Sequence, residues 1–366
     1  MRRFVPLALA ALTLATVGGA PATAAPPAHR MTLDYVQGVG NPEDLVSVPG
    51  TDTVIASGMS ADPQSDSASS GHLYAIDAAA RHPVEVWPEG AHDTAWDQRT
   101  YPDCPGPPDE TRASPHGINI AAGPGGGATL YVVNHGGRES VEVFDVRPGN
   151  DATDLKLTWK GCVVTPPGTY PNGVAPVPGT HDLVVTNFFD PAAPDPFEAM
   201  FKGEPTGDVL RWSPRQGWRT LPGSRLAGPN GVEVSRDGRW AFVAAWGNRE
   251  VHRIPLQDHP RPTARRSAVQ FPFMPDNLRW GRDGRLLVTG QDLTYTEFQS
   301  CQAGDLPRCP DAGFDIYSLA PHSMRSRLTY GTGTRDFGMA TVANPVGDEI
   351  WLGSVRGTRI ARLHSS

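Results

Sequence analysis

Two histidines hold the residue types and settings from which proton chemistry can be built. His116 lies in Ser114-Pro115-His116-Gly117-Ile118, and His135 closes Leu130-Tyr131-Val132-Val133-Asn134-His135. Each stands at the end of an apolar, β-type run beside a glycine that permits a tight turn. Histidine titrates nearest neutrality, so a pair brought together can pass a proton or hold a metal. A second set recurs along the chain: Glu43, Asn172, Asn230, Asp276 and Asn277 each stand at the opening of an apolar run. Carboxylate and amide oxygens are hard ligands, and roughly six to eight of them suit Ca²⁺. These residues would supply five, with water or substrate completing the shell. Zinc, which prefers His and Cys in tetrahedral sets, is the poorer match. Calcium there would polarise a carbonyl, while His116 takes a proton from attacking water and His135 orients it or shares the proton. Taken singly, each histidine can equally be structural, and each Asn-Gly a turn. What singles them out is recurrence at one phase of a repeat.

The repeat is built from short strands and turns. Asp44–Val48 and Thr53–Ser57 flank Pro49-Gly50; Leu130–Val133 follows a Gly123–Gly127 turn after His116. The same unit restarts at Asn172, Asn230, Asp276 and about residue 340, so about six units begin at intervals of about 45 to 75 residues. No long helical pattern interrupts them. Such units predict an all-β, six-bladed β-propeller with four-stranded blades, over residues 25–366 as a single domain. In a propeller the first strand of every blade lines the central channel, which places the repeated polar residues in a ring. The sixth position carries the apolar pair Met339 and Ala340. Between Asp190 and Gly207 lies an insertion with a short amphipathic run, Pro196–Phe201, expected as a flap over the ring. Phe188 and Phe189, just before it, are candidate substrate contacts.

Residues 1–24 have the form of a secretory signal, with Arg2 and Arg3, an apolar run from Phe4 and a small-residue site at Ala22-Thr23-Ala24. This predicts a secreted protein, and no later run is apolar for the ~18 residues a membrane span needs. The formal charge of −7 speaks against nucleic acid as a partner. The 40 glycines and 37 prolines fall between short apolar runs and not in one linker, the texture of a many-turned β protein. An even set of cysteines in an exported chain suggests disulfides. Cys301 and Cys309 bracket one loop and are paired; Cys104 then pairs with Cys162. A zinc site is the rival, without C-x2-C spacing to support it. No G-x-S-x-G or H-E-x-x-H motif is present.

The segments around His116 and His135, followed by Ser140-Val141-Glu142-Val143-Phe144, resemble the paraoxonase/arylesterase family, within the wider gluconolactonase-like and strictosidine-synthase-like six-bladed propellers. The similarity continues through Glu43-Asp44, Pro171-Asn172-Gly173, Asn230-Gly231-Val232 and Asp276-Asn277. The resemblance implies a calcium-dependent hydrolase of small-molecule lactones or aryl esters. It puts the calcium ligands on Glu43, Asn172, Asn230, Asp276 and Asn277, and a histidine dyad on His116 and His135. Two departures matter. The family's second, structural calcium uses an Asp where this chain has Gly173, although Asp44 is kept. The family's acidic residue after a Thr-Asn pair is replaced, after Thr186-Asn187, by Phe188-Phe189, with Asp190 the nearest substitute. The alternative from another class is a non-catalytic, calcium-plugged propeller that binds a ligand or protein.

Overall fold

The computed structural model describes residues 31–60, 71–90, 92–256, 267–302, 313–331 and 337–365. The segment 1–24 and Cys309 lie outside them. The chain first lays down β1 (Met31–Gln37), which joins the last blade. Blade one is β2 (Pro42–Ser47), β3 (Thr53–Gly58), β4 (His72–Asp77) and β5 (Pro83–Trp87). The short β6 (His92–Thr94) runs parallel to the outer edge of blade two, whose own strands are β7 (Pro115–Ala122), β8 (Ala128–Asn134), β9 (Ser140–Arg147) and β10 (Lys156–Val164). Blade three is β11 (Tyr170–Pro176), β12 (Leu183–Phe189), β13 (Asp208–Ser213) and β14 (Gly217–Thr220). Blade four is β15 (Pro229–Val234), β16 (Trp240–Ala245), β17 (Glu250–Pro255) and β18 (Ser267–Gln270). Blade five is β19 (Met274–Trp280), β20 (Leu286–Gln291), β21 (Asp315–Leu319) and β22 (Ser326–Gly331). Blade six is β23 (Ala340–Val346), β24 (Glu349–Ser354) and β25 (Arg359–Ser365), completed by β1. This is the six-bladed propeller expected from the repeat.

Burial follows position in the blade. β3 and β20 are buried at every residue because a neighbouring blade covers each face. The outer β4 alternates Leu73 and Ala75 inward with His72 and Tyr74 half exposed. The turns between first and second strands carry Gly50, Gly179, Gly238, Gly284 and Gly347, all with positive φ, where a side chain would be strained. Trp351, Phe144 and Phe242 fill the spaces between blades.

One device repeats in all six blades and sets up the channel. Every first strand slips register by a β-bulge: at Pro42/Asp44, Pro115/Ile118, Pro171/Val174, Pro229/Val232, Pro275/Leu278 and Ala340/Ala343. A bulge redirects the side chains within it. The bulges enclose Glu43, His116, Asn172, Asn230, Asp276 and Thr341. The sixth ring position is therefore Thr341, not the Met339-Ala340 pair read from sequence. Five of the six ring residues follow a proline, which has no N–H to leave unpaired where the ladder breaks.

The glycines after His116, Asn172 and Asn230 have a packing cause. A Cβ on Gly117 would lie 2.2 Å from the Asn172 carbonyl oxygen, one on Gly173 2.9 Å from that of Asn230, and one on Gly231 2.6 Å from that of Asp276. The first strands approach so closely near the axis that only glycine fits between them. The Asn-Gly pairs are thus inter-blade contacts and not turns.

Candidate active site

The bulge of each blade's first strand places one residue on a cavity of about 700 Å³: Glu43, His116, Asn172, Asn230, Asp276 and Thr341. Glu43, Asn172, Asn230 and Asp276 are each almost fully buried. Four of their oxygens, Glu43 Oε2, Asn172 Oδ1, Asn230 Oδ1 and Asp276 Oδ1, have no hydrogen-bond partner. A buried polar atom without a partner costs about 1–3 kcal/mol, so this cluster at one site calls for a ligand. The other carboxylate oxygens are held: Asn277 Nδ2 donates to Glu43 Oε1 at 2.7 Å, and Gln291 Nε2 to Asp276 Oδ2 at 2.8 Å. Gln291 is fixed in turn by Trp246, whose Nε1 donates to its Oε1 at 2.8 Å. Asn277 lies behind Glu43 and does not itself line the cavity.

Two buried carboxyl groups share this ring. Burial, then Asp44 and Asp276, push the Glu43 carboxyl well above the usual range. Burial raises Asp276 to about 7, against the Gln291 hydrogen bond. A cation among these oxygens would replace the missing solvation and favour both ionised forms. Among the described residues no group of three or more His, Cys, Asp or Glu side chains forms a metal cluster. The ring is of another kind, with two carboxylates and amide oxygens, a donor set that fits a hard cation better than zinc.

The two histidines meet beside the ring. His116 Nδ1 and His135 Nε2 are 2.7 Å apart, and His116 Nε2 faces Asn172 Nδ2 at 3.5 Å and Glu43 Oε1 at 3.7 Å. Local sequence explains the meeting. Asn134, the last residue of β8, accepts from Ser114 N at 2.9 Å, and His135 N donates to Ser114 O at 3.2 Å, so the ends of β7 and β8 are clamped together. Burial, and then His135, hold the His116 pKa well below its ordinary value, which keeps the ring neutral. On its far side His135 Nδ1 lies 2.6 Å from Glu139 Oε2. Blade three repeats the clamp: Asn187 Oδ1 accepts from Tyr170 N at 3.0 Å. Tyr170 stacks on His135, and Phe189 stacks on Tyr170.

Below the ring the channel is closed by Arg279. Its Nη2 lies 2.5 Å from Asp44 Oδ1 and donates to the Ile118 carbonyl at 2.8 Å, and its Nε donates to the Leu45 carbonyl at 2.8 Å. Glu233 faces Nη1 at 3.5 Å and is raised to about 7, burial outweighing the arginine. Asp44 also accepts from Ile118 N at 2.8 Å. A guanidinium thus occupies the space beside Asp44.

Above the ring the walls are aromatic. Phe188 and Phe189 line the cavity, as does the 190–207 insertion, which forms α1 (Pro196–Phe201). A second helix, α2 (Tyr295–Gln302), packs Tyr295 on Phe201, and Phe298 on Phe197 and Phe201. Tyr295 Oη donates to Asp195 Oδ2 at 2.6 Å, linking the two caps. Asp190 is exposed, and its carboxylate accepts from Ala192 N.

Sequence reasoning named the ring and the histidines but missed Tyr170, Glu139, Arg279 and α2. For α2 a signal existed: Thr294-x-x-Glu297 is a capping box, and Glu297 Oε2 accepts from Thr294 N at 2.7 Å. The proline before five ring residues was a second unused signal. Glu139 and Tyr170 had none, because they reach His135 from a loop and from the next blade. Of the expected disulfides, Cys104–Cys162 is present with Cα atoms 5.2 Å apart.

A family model described as Arylesterase matches residues 33–299 of this chain. No curated protein matches the chain in sequence. Among solved structures, a luciferin-regenerating enzyme aligns at a TM-score of 0.56 and 12% identity, over 92% of this chain and 95% of that one. A putative oxidoreductase (glucose dehydrogenase) from Thermus thermophilus aligns at a TM-score of 0.51 and 14% identity, over 91% and 100%. These structural likenesses show the fold alone.

Proposed function

The chain belongs to the arylesterase family, and from that premise we propose that it is a secreted, calcium-dependent hydrolase of lactones or aryl esters. The observation that carries the calcium is the set of four unpartnered oxygens on Glu43, Asn172, Asn230 and Asp276, all lining one cavity. These four residues would hold the ion, and Asn277, the fifth ligand that the family resemblance implies, here holds the Glu43 carboxylate from behind. Bound calcium would supply electrostatic stabilisation of the oxyanion that develops when a carbonyl is attacked.

The chain's own residues do the rest. His116 Nε2 takes the proton from water, the hydroxyl oxygen bonds to the carbonyl carbon, the carbon–oxygen bond to the alcohol breaks, and the departing oxygen takes the proton back from Nε2. His135 orients the His116 ring and shares its charge. Phe188 and Phe189, with α1 and α2, exclude water and hold the apolar part of the substrate. Export is supported by the form of residues 1–24 and by the Cys104–Cys162 disulfide, which needs an oxidising compartment.

The test is hydrolysis of γ- and δ-lactones and of phenyl acetate, with calcium and then with a chelator. Turnover that vanishes on chelation and returns with calcium is expected. No turnover on any substrate, with a calcium-dependent rise in Tm, would overturn the hydrolase and leave a calcium-plugged binding module.

A further inference from the structure

Glu139 lies outside the ring and outside the cavity, yet its Oε2 is 2.6 Å from His135 Nδ1, whose other ring nitrogen is 2.7 Å from His116 Nδ1. We infer that Glu139 is the positioning residue that fixes the proton arrangement of the histidine pair, so that His116 Nε2 presents a lone pair to the cavity. The inference rests on the proposed hydrolase for its kinetic consequence, and on geometry alone for the proton arrangement.

An ionised carboxylate only accepts hydrogen bonds, so at 2.6 Å the proton between the two groups belongs to His135 Nδ1. A neutral imidazole carries one N–H, so His135 Nε2 must then accept. At 2.7 Å its donor is His116 Nδ1–H. His116 Nε2 is left unprotonated and faces Asn172 Nδ2 and the metal ring. One carboxylate thus orders two tautomers and selects His116, not His135, as the base. When His116 takes a proton, its Nδ1–H still donates to His135, and the negative charge of Glu139 stabilises the cationic pair. No net atom or electron is gained: the proton from water enters at Nε2 and leaves from Nε2 with the alcohol.

The surroundings suit this role. His135 is buried and its ring stacks on Tyr170, which fixes the plane in which Nδ1 meets Glu139. Glu139 comes from the Gly136-Gly137-Arg138 loop four residues on, and its backbone is pinned by Thr165, whose N donates to Glu139 O at 3.0 Å. The neighbouring Arg138 is committed to the buried Glu142 at 2.7 Å and does not compete. The side chain is 33% exposed, which weakens its field. The expected effect is therefore smaller than the about 10⁴-fold loss on neutralising a buried triad aspartate.

The experiment uses the full chain with calcium and compares wild type with Glu139→Ala and Glu139→Gln. For Ala, kcat on phenyl acetate is expected to fall about 10- to 100-fold with KM and calcium affinity unchanged, and Gln, which keeps an acceptor without charge, to fall between. In parallel, ¹⁵N NMR of the imidazoles is expected to show His135 protonated at Nδ1 in wild type and to lose that single tautomer in Glu139→Ala. Unchanged kcat in both variants, or an unchanged His135 tautomer in the Ala variant, would overturn the inference. If wild type hydrolyses nothing, the hydrolase reading fails by itself, and the tautomer measurement still decides whether Glu139 orders the pair.

Discussion

Tyr170 lies flat on His135, with ring centroids 4.1 Å apart and planes within 11° of parallel. Phe189 lies on the opposite face of Tyr170 at 4.5 Å, again within 11°. The three rings form a stack running from the histidine pair into the apolar wall. Aromatic pairs contribute about 0.5–1.5 kcal/mol beyond their buried area. Replacing Tyr170 by Ala should free His135 and reduce kcat up to about tenfold, while Tyr170→Phe, which keeps the stack, should stay near wild type. Steady-state kinetics of the two variants decide it; equal losses would place the effect on the hydroxyl.

Calcium affinity should rise with pH. Asp276 titrates near 7 and Glu43 well above the usual carboxylate range, both through burial. The metal-free folded chain therefore holds protons that the unfolded chain has already released. The stability these two groups contribute is fully present below about pH 4 and is lost as pH climbs through about 7. Binding a cation expels those protons. Calorimetric titration from about pH 6 to 8 should show tightening affinity and proton release, and the calcium-induced gain in Tm should be largest at the alkaline end. Affinity independent of pH would contradict the assignment of these carboxylates as ligands.

Arg279 should be indispensable for a different reason. Its removal leaves Asp44 and Glu233 buried without their counter-ion, a loss of about 3–5 kcal/mol. Arg279→Met is therefore expected to unfold at much lower denaturant than wild type. With the guanidinium filling the lower channel, the wild type should bind a single calcium; a stoichiometry of two would show that the arginine does not replace a second ion.

Gly117→Ala offers a probe of the close approach between first strands. Its Cβ would meet the Asn172 carbonyl at 2.2 Å, and overpacking of this kind costs about 1–3 kcal/mol. Both His116 and Asn172 would move, so the variant should lose calcium-induced stabilisation together with turnover. Retention of both would show that the strands can separate without cost.

The Cys104–Cys162 bridge closes 58 residues of chain. On the chain-entropy account such a loop is worth about 4 kcal/mol. The double Ser variant should show that loss in denaturant midpoints, with calcium affinity unaffected because neither cysteine touches the ring.

The ring residues were legible because each blade repeats one bulge at one phase, so a polar residue recurs where an apolar strand begins. The meaning of Gly117, Gly173 and Gly231 was not legible: a turn glycine and a glycine squeezed between strands of different blades look alike in one dimension. The outer strands, such as β14 and β18, were missed because they are short and half exposed, with little apolar pattern. β1 was missed because its partner lies at the other end of the chain. Tyr170 and Arg279 act across blades, and local sequence holds no record of such neighbours. Thr341 was overlooked because the apolar Met339-Ala340 pair precedes it and the bulge shifts the register.

The sixth blade is sewn from both extremities, with β1 paired to β25 from Met31 opposite Ser365 to Gln37 opposite Arg359. A circle fastened in this way has no intermediate stage of closure. While the chain is being made or threaded through a pore, the early blades can stack, but the ring stays open until its last strand arrives to meet the first. Contacts this distant along the chain form slowly. The ring around the axis, which draws one residue from every blade, is completed at that same moment. Before then there is no site at which calcium can be bound by all its partners, so metal capture should report the final step of folding and not an early one.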